Sequence, residues 1–282
     1  MARRTHKIAP APGVYSTSTG TAELVPHRDD PGLWTVLVNG VPSSSVRPED
    51  PSRLDFEYLQ YMAIALSLQP PLPPHPLSVL HLGGAACALA WAVETVRPGS
   101  EQVVLEIDEE LVRLVRLWFD LPRSPRLRIQ GVDAREGLAR RRDASADAVV
   151  RDAFDGSLTP EHLRTVELTQ DVKRVLRPSG TYLANVADRP PLQILRREIA
   201  SVAAVFEHTA VIAETAMLRG RRYANAVIIG CSTPVPVVAL GRALAATGIS
   251  VRVVHGERLR DLVAGSPPYR DLRQDGDPLP DL

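Results

Sequence analysis

From residue 77 onward, short apolar segments alternate with helical patterns, and this alternation constrains the fold more than any other feature of the chain. The segments predicted as strands are 78–82, 102–107, 127–130, 146–150, 181–186, 224–229 and 251–254. The segments predicted as helices are 85–96, 109–119, 135–141, 160–176, 191–205 and 235–246. Strands that are apolar along their length and alternate with helices indicate a mostly parallel, doubly wound sheet with helices on both faces. We therefore predict an α/β fold.

The residues before this alternation predict a separate, smaller unit. Trp34 to Val38 is rich in β-formers and ends at Asn39-Gly40, a strong hairpin signal. Leu54 to Leu68 has apolar residues near helical spacing, and a proline-rich run follows it. The predicted order is a tail and small β-hairpin or β domain over 1–50, a helix and linker over 51–76, the α/β domain over 77–265 and an irregular tail over 266–282.

Charge and cysteine content narrow the class of protein. The 33 basic residues balance the 33 acidic ones, so the totals favour neither a nucleic-acid binder nor a polybasic membrane protein. Two distant cysteines, Cys87 and Cys231, make no disulfide framework and fit a reducing cytosol. The basic opening segment 1–7 lacks the apolar stretch of a signal peptide, and no apolar run is long enough to cross a bilayer. The histidines show no metal spacing, so we expect no metal site.

The first two candidate ligand-binding features follow the first two strands. Gly83 and Gly84 come directly after strand 78–82, where glycine lets the backbone approach a ligand closely. Glu106 closes the next strand, 23 residues after Gly83. An acid about 20 residues beyond a glycine turn is positioned for ribose hydroxyls. A plain tight turn and a solvated helix cap are the structural alternatives, and Asp108 is itself a plausible helix N-cap.

Three further acids follow the third and fourth strands. Asp133 can accept from an adenine amino group or can cap the helix at Arg135. Asp152 and Asp155 form an acidic loop after strand 146–150. A carboxylate there can orient an amine nucleophile and take its proton, and a second can hold another ammonium. Their structural alternatives are a cap for Asp152 and a turn at Asp155-Gly156.

The charge of these acids indicates the kind of ligand. Ligands of open α/β sheets bind beyond the carboxyl ends of the strands, so Glu106, Asp133 and Asp152 should share one cleft. Three carboxylates would repel a pyrophosphate but tolerate a sulfonium cation. The sequence also lacks the phosphate-binding pattern GxxxxGK[ST]. These observations favour an S-adenosyl compound over NAD.

An ordered set of short motifs resembles the spermidine synthase-like proteins, the polyamine aminopropyltransferases, over roughly residues 35–230. The motifs are Leu37-Val38-Asn39-Gly40-Val41, Phe56-Glu57-Tyr58, Leu82-Gly83-Gly84, Leu105-Glu106-Ile107-Asp108, Val132-Asp133-Ala134-Arg135 and Asp152-Ala153-Phe154-Asp155. The resemblance implies a small N-terminal β domain, a class I methyltransferase-type Rossmann-like domain and a homodimer.

Within that family, the matching positions imply roles for individual residues. Glu106 would bind ribose and Asp133 adenine, beside the glycine turn at Gly83 and Gly84. Asp152 would be the catalytic base, while Asp155 and Tyr58 would bind the amine substrate. The implied group donor is S-adenosylmethionine or its decarboxylated form, and the partner is a small-molecule amine or other small acceptor.

The chain departs from the family at the amine-binding positions. The family's GGGDGG loop is matched by Gly83-Gly84-Ala85-Ala86-Cys87-Ala88, so Ala86 replaces an Asp that contacts the aminopropyl amine. Arg151 stands before Asp152 where an aliphatic residue is usual, and Met217 to Gly220 replaces a Tyr-Pro-x-Gly segment. Three functions therefore stay open: an aminopropyltransferase, an S-adenosylmethionine-dependent methyltransferase of a small molecule, and a non-catalytic adenosyl-ligand-binding homologue.

Overall fold

An N-terminal antiparallel sheet precedes a larger α/β sheet in the computed structural model, which describes residues 10–272. The small sheet has four strands in the order β1-β2-β3-β4, joined by hairpins. Its strands are β1 Gly13–Thr17, β2 Gly20–Pro26, β3 Trp34–Val38 and β4 Val41–Val46. The β-rich segment and the Asn39-Gly40 turn are thus correctly predicted, and the tail over residues 1–9 lies outside the described residues.

Helix α1, Glu57–Ser67, and the proline-rich linker connect the two sheets. Arg97 is buried and holds this linker in place: its guanidinium donates to the carbonyls of Leu66 at 2.7 Å, Gln69 at 3.0 Å and Pro71 at 2.6 Å. The linker is therefore a fixed part of the fold.

The large sheet has eight strands in the order β12-β10-β11-β9-β8-β5-β6-β7. Its strands are β5 Ser78–Leu82, β6 Glu101–Glu106, β7 Leu127–Gly131, β8 Ala146–Arg151, β9 Leu176–Asp188, β10 His208–Glu214, β11 Ala224–Cys231 and β12 Val251–His255. The five strands β5 to β9 pair in parallel, whereas β11 is antiparallel to both β9 and β10, and β12 is antiparallel to β10. This sheet and the small β domain confirm the predicted fold class.

Helices cover both faces of the large sheet and enclose one apolar core on each side. They are α2 Ala88–Val96, α3 Glu109–Trp118, α4 Ala134–Ala139, α5 Val166–Val175, α6 Gln193–Ala203, α7 Thr215–Leu218, α8 Val237–Ala245 and α9 Glu257–Val263. The first core packs against α1, α2, α3 and α8, and the second against α4, α5, α6 and α9. Strand β5 lies between β6 and β8, so the winding direction reverses there and opens a crevice at the carboxyl ends of the strands.

Several predicted boundaries are wrong. The helix predicted over 160–176 is a short 3-10 helix, Glu161–Leu163, followed by α5, because the Thr165 side chain accepts from the backbone N–H of Leu168 and starts a new helix. Strand β10 and helix α9 were not predicted. The tail predicted over 266–282 is without regular structure over 266–271, and residues 273–282 lie outside the described part. Within residues 10–272, no helix has the length and apolar character needed to cross a membrane.

Candidate active site

A cavity of about 710 Å³ opens at the carboxyl ends of the parallel strands. Its wall includes six of the seven predicted site residues: Tyr58, Gly83, Gly84, Glu106, Asp133 and Asp152. The N-terminal sheet also contributes, through Thr19 and the β3–β4 hairpin. The acids that follow three different strands therefore do share one cleft, while the roles assigned to them stay predictions.

Gly83 lets the backbone make a turn that other residues could not follow. Its φ of 81° is in the left-handed region, and a Cβ atom added there would lie 2.5 Å from the Asp152 carbonyl oxygen. Its N–H donates to the Leu105 carbonyl at 2.8 Å, and the Asp152 N–H donates to the Leu82 carbonyl at 2.9 Å. The turn thereby joins the ends of β5, β6 and β8 into one rigid floor of the cavity.

The turn continues beyond the glycines, so α2 begins three residues later than predicted. Ala85 and Cys87 have φ values of 40° and 59°, which are unusual for residues with a side chain. Ala86, at the position of the family's Asp, is fully buried and does not line the cavity. Burial, with the nearby Glu106 carboxylate, raises the pKa of the Cys87 thiol to about 12, so this cysteine is a packing residue.

Glu106 is held by backbone donors on both sides. Its Oε2 atom accepts from the N–H of Ala85 at 3.2 Å, and its Oε1 atom accepts from the N–H of Asp108 at 3.2 Å. Burial raises the pKa of this carboxyl, and the backbone donors oppose the rise. Each carboxylate oxygen accepts more than one hydrogen bond, so both can also receive a hydroxyl from the cavity.

Asp108 caps α3 and fastens the N-terminal sheet to the cavity. Its carboxylate accepts from the N–H of Leu111 at 2.9 Å, as the N-cap interpretation predicted. It also accepts from the N–H groups of Ser18 and Thr19, each at 3.0 Å, and from the Thr19 hydroxyl at 2.6 Å. Burial alone would raise its pKa, but these donors outweigh burial and lower it. The β1–β2 turn is thereby fixed as part of the wall.

Asp133 caps helix α4, which is the structural role that the sequence left open beside adenine binding. Its Oδ1 atom accepts from the N–H groups of Arg135 at 2.8 Å and Glu136 at 3.1 Å, which caps α4. Its Oδ2 atom lies 3.0 Å from Nε2 of His162. These partners lower the pKa of Asp133 against the effect of burial, so the carboxyl is ionised at neutral pH. It still borders the cavity, beside His162.

Asp152 borders the cavity and is oriented by two side chains. Its Oδ2 atom accepts from the Tyr58 hydroxyl at 3.1 Å, and its Oδ1 atom accepts from the Asn185 amide at 2.8 Å. Burial raises the pKa of Asp152, while both hydrogen bonds and the charge of Arg151 oppose the rise. Tyr58 thus contacts Asp152 directly. Asn185 was not predicted as a site residue, although a polar amide within an otherwise apolar strand could have indicated it.

Arg151, the unusual neighbour of Asp152, is fully buried on the strand that carries it. It forms an ion pair with Glu198 of α6 and donates to the carbonyls of Leu163 at 2.6 Å and Asn185 at 3.1 Å. Arg151 therefore fixes the backbone of Asn185, whose side chain orients Asp152. Its role is positioning, since it does not border the cavity.

Asp155 is the predicted site residue that does not line the cavity. It is exposed, its N–H donates to the Leu158 carbonyl at 2.8 Å, and Gly156 has a φ of 60°. Asp155 and Gly156 thus form a turn, as the structural alternative for this loop predicted. Because Phe154 and Gly156 border the cavity, Asp155 lies at its rim.

A second group of charged residues, which the sequence reasoning missed, lines the cavity near α1. The Arg222 guanidinium lies 2.6 Å from the Glu214 carboxylate and 3.7 Å from that of Glu57. Burial, followed by the charge of Glu214, raises the pKa of Glu57. Within the described residues the buried Tyr61 hydroxyl has no hydrogen-bond partner. Two carboxylates with one guanidinium leave this end of the cavity negatively charged.

Known proteins resemble the chain in both sequence and structure. A probable spermidine synthase from Corynebacterium glutamicum superposes with a TM-score of 0.87 at 35% identity, covering 94% of this chain and 98% of that one. The polyamine aminopropyltransferase of Vibrio vulnificus is 30% identical over 163 residues, which are 56% of this chain and 53% of that protein. The chain thus spans about half the length of the curated relatives it matches.

A spermidine synthase in complex with the transition state analogue AdoDATO shares the fold, with a TM-score of 0.62 at 15% identity over 80% of this chain and 75% of that one. No protein-family model matches the chain. A methyltransferase-like protein also shares the fold, as the resemblance implied.

Proposed function

Because the chain belongs to the spermidine synthase-like family of polyamine aminopropyltransferases, we propose that it transfers an aminopropyl group from an S-adenosyl sulfonium donor to an amine. One observation carries this proposal. Asp152, oriented by Tyr58 and Asn185, shares a single cavity with Glu106 and Asp133.

The donor of the aminopropyl group in this proposal is decarboxylated S-adenosylmethionine, whereas S-adenosylmethionine itself would be the donor for the second candidate below. Glu106 would accept the ribose hydroxyls and Asp133 the adenine amino group. The backbone at Gly83 and Gly84 would pass close to the ligand, since the floor there has no room for side chains. The negative lining suits a sulfonium. A spermidine synthase of the same fold forms a complex with AdoDATO, an adenosyl compound, which further supports an adenosyl donor for this cavity.

The transfer is a substitution at the carbon next to sulfur. The lone pair of the neutral acceptor amine forms the new C–N bond, the C–S bond breaks, and its electron pair stays on sulfur as methylthioadenosine leaves. The nitrogen then loses a proton. Asp152 would accept a hydrogen bond from the amine, orient its lone pair and receive the proton. Holding the two reactants together supplies much of the acceleration, because the sulfonium is already an activated electrophile.

The acceptor in this proposal is a small amine that enters past α1. Tyr58 would contact it beside Asp152, and Asp155 at the rim would attract its ammonium. Glu57 and Glu214 extend the negative surface beyond Asp152, so they favour an acceptor with a second positive charge. The proposal includes a homodimer in the cytosol, and the two free, buried cysteines fit a reducing compartment.

Methyl transfer from S-adenosylmethionine is the second candidate, and two observations favour it. Ala86 replaces the carboxylate that contacts the aminopropyl amine in the family, and Asp155 does not line the cavity. A donor that keeps its own carboxylate would meet less repulsion in such a site. A non-catalytic adenosyl-binding homologue is the third.

Mass spectrometry of the reaction products distinguishes the three candidate functions. The full chain is incubated with putrescine and each donor separately. Spermidine together with methylthioadenosine is the expected result. Release of S-adenosylhomocysteine with a methylated acceptor would establish the second candidate instead. Saturable adenosyl binding without turnover of any amine would establish the third.

A further inference from the structure

A second cavity, of about 360 Å³, opens at the opposite edge of the large sheet, among the amino ends of β5, β6, β7 and β8. Its wall contains four arginines: Arg128, Arg140, Arg141 and Arg142. We call it the arginine pocket. Among residues 10–272, Glu101 is the one carboxylate that lines the arginine pocket, and none of these residues lines both this pocket and the candidate active site. The arginine pocket is therefore a separate place on the molecule.

The arginines of this pocket are weakly neutralised by the protein. Arg128 and Arg142 are both exposed. Within the described chain, no carboxylate oxygen lies within 4.0 Å of either guanidinium. Arg140 forms an ion pair with Glu136 at 3.3 Å. Both side chains are largely exposed, and the interaction energy of such exposed ion pairs is small. The pocket thus has a net positive charge.

Arg141 is the half-buried member of the group. Its Nη2 atom donates to the Gln130 side chain, while its Nε–H is buried and has no acceptor within residues 10–272. Arg128 adds to the positive charge around it. The Nη1 atom of Arg141 also has no acceptor within the described residues and is not fully buried, so an anion in the pocket could accept from it.

Helix electrostatics alone does not explain the cluster. Arg140, Arg141 and Arg142 follow the end of α4, where a cation is favoured by the helix dipole. Arg128 belongs to β7, however, and still faces the same space. The Arg141 carbonyl accepts from Arg174 at 2.8 Å, so the segment between α4 and β8 is fixed in place. A further cavity of about 350 Å³ shares Arg140 and Arg141, so these two side chains stand between two hollows.

We propose that the arginine pocket binds a small molecule that carries at least two phosphoryl groups. The planar fork of arginine matches phosphate oxygens in pairs, and several such forks around one hollow favour a multivalent anion. The volume lies near the lower end of small-molecule pockets, about 300–1,000 Å³. The inference is independent of the proposed transfer reaction.

Calorimetric titration of the full chain with pyrophosphate, at constant ionic strength, tests the proposal. Saturable binding is expected. Arg141→Gln, and separately the double variant Arg128→Gln with Arg142→Gln, should each weaken it at least about tenfold, since each removes charge-assisted hydrogen bonds. Arg258→Gln, an exposed arginine of α9, is the matched control and should leave the affinity unchanged.

Thermal unfolding without ligand verifies that each variant is folded, and methylthioadenosine affinity should be equal in all of them. Absence of saturable pyrophosphate binding in the wild-type chain would overturn the proposal. An equal loss in Arg258→Gln would do the same. Binding of a short DNA duplex without binding of pyrophosphate would also overturn it, because the pocket would then belong to a polyanion surface.

Discussion

At the residue scale, the three carboxylates at the strand ends are fixed by protein donors before a ligand arrives. Glu106 is held by two backbone N–H groups, Asp133 by the first turn of α4, and Asp152 by a phenol and an amide. Fixed acceptors lose little freedom when they bind a hydroxyl or an amine, so they are suited to recognition as well as to structure.

Glu106→Gln should weaken binding of methylthioadenosine at least about tenfold, because the neutral amide offers one acceptor oxygen where the carboxylate offers two. The variant should remain folded, since each lost contact joins neighbouring loops rather than the apolar core. Calorimetry measures the affinity, with Glu110→Gln on the exposed side of α3 as the control. Unchanged affinity in Glu106→Gln would remove the ribose assignment.

Asp152→Asn should lower turnover about a hundredfold or more, because it removes the proposed proton acceptor. Donor affinity should stay within about twofold, since Asp152 would face the acceptor amine in the proposed reaction. Steady-state kinetics of the aminopropyl transfer measures the first effect, and calorimetry measures the second.

Asp155→Asn is the comparison for Asp152→Asn. As a rim residue it should raise the KM for the amine about two- to fivefold and leave kcat unchanged, as expected for an exposed charge pair. Equal turnover in Asp152→Asn and the wild type would remove the catalytic role of Asp152.

At the element scale, residues 266–272 form a strap across α4, α5 and α6 although they lack helix or strand hydrogen bonding over most of their length. The Tyr269 ring lies 3.8 Å from the Arg197 guanidinium and 4.7 Å from that of Arg164. Asp271 forms two hydrogen bonds with Arg135, which also donates to the His162 carbonyl at 3.1 Å. The strap therefore supports the wall of the cavity that contains Asp133.

Asp271→Asn should lower the melting temperature by roughly 2–4 °C, since a half-buried, bidentate ion pair contributes about 1 kcal/mol to the free energy of unfolding. It should also weaken methylthioadenosine binding about two- to fivefold by releasing Arg135 beside Asp133. Thermal unfolding and calorimetry measure the two effects. Asp261→Asn, an exposed acid on α9, is the control and should change neither. A melting temperature equal to that of the wild type would show that the strap is not a stabilising element.

The positions of most elements could be predicted because their apolar patterns are local. The start of α2 could not, since Ala85 and Cys87 adopt left-handed conformations that side chains rarely take. Strand β10 was missed because its short apolar run, His208–Glu214, cannot be told from a buried helix segment by periodicity, and only pairing with distant strands decides it. For the same reason, Glu214 could not be placed in the cavity from its neighbours.

The acidic site residues could be predicted because the topology of a parallel sheet brings its carboxyl ends together. Glu106 ends its strand, and Asp133 and Asp152 follow theirs within two residues, so recognising the strands was enough to place them. Arg222 and Tyr61 lie on segments whose position depends on how α1 and α7 pack. Asp155 was placed from its position in the loop and from the family resemblance, and a turn directs it to the rim instead.

At the scale of the whole molecule, the sheet interior contains a buried neutral histidine that makes stability depend on pH. His81 of β5 is 4% exposed, and its Nε2 atom lies 3.1 Å from Oε1 of Gln102. Burial lowers its pKa from 6.5 to about 4. A histidine whose pKa is lower in the folded state favours unfolding wherever the unfolded chain binds the extra proton.

The free energy of unfolding should therefore be largest above pH 6.5 and should fall as the pH decreases towards 4. This group alone should account for about 3 kcal/mol of the decrease, since one pKa unit corresponds to about 1.4 kcal/mol. Denaturant unfolding at a series of pH values measures it. His81→Gln should flatten the dependence, whereas His255→Gln, at an exposed position, should not. Equal slopes for the wild type and His81→Gln would contradict the assignment.

The proposed function requires that the carboxyl ends of the parallel strands together form one adenosyl-binding cleft. A crystal structure of the chain with methylthioadenosine tests this directly. The ribose hydroxyls should lie within about 3.2 Å of the Glu106 carboxylate, with adenine beside Asp133 and the sulfur facing Asp152. A nucleoside bound elsewhere, or in this cleft with its ribose turned away from Glu106, would contradict it.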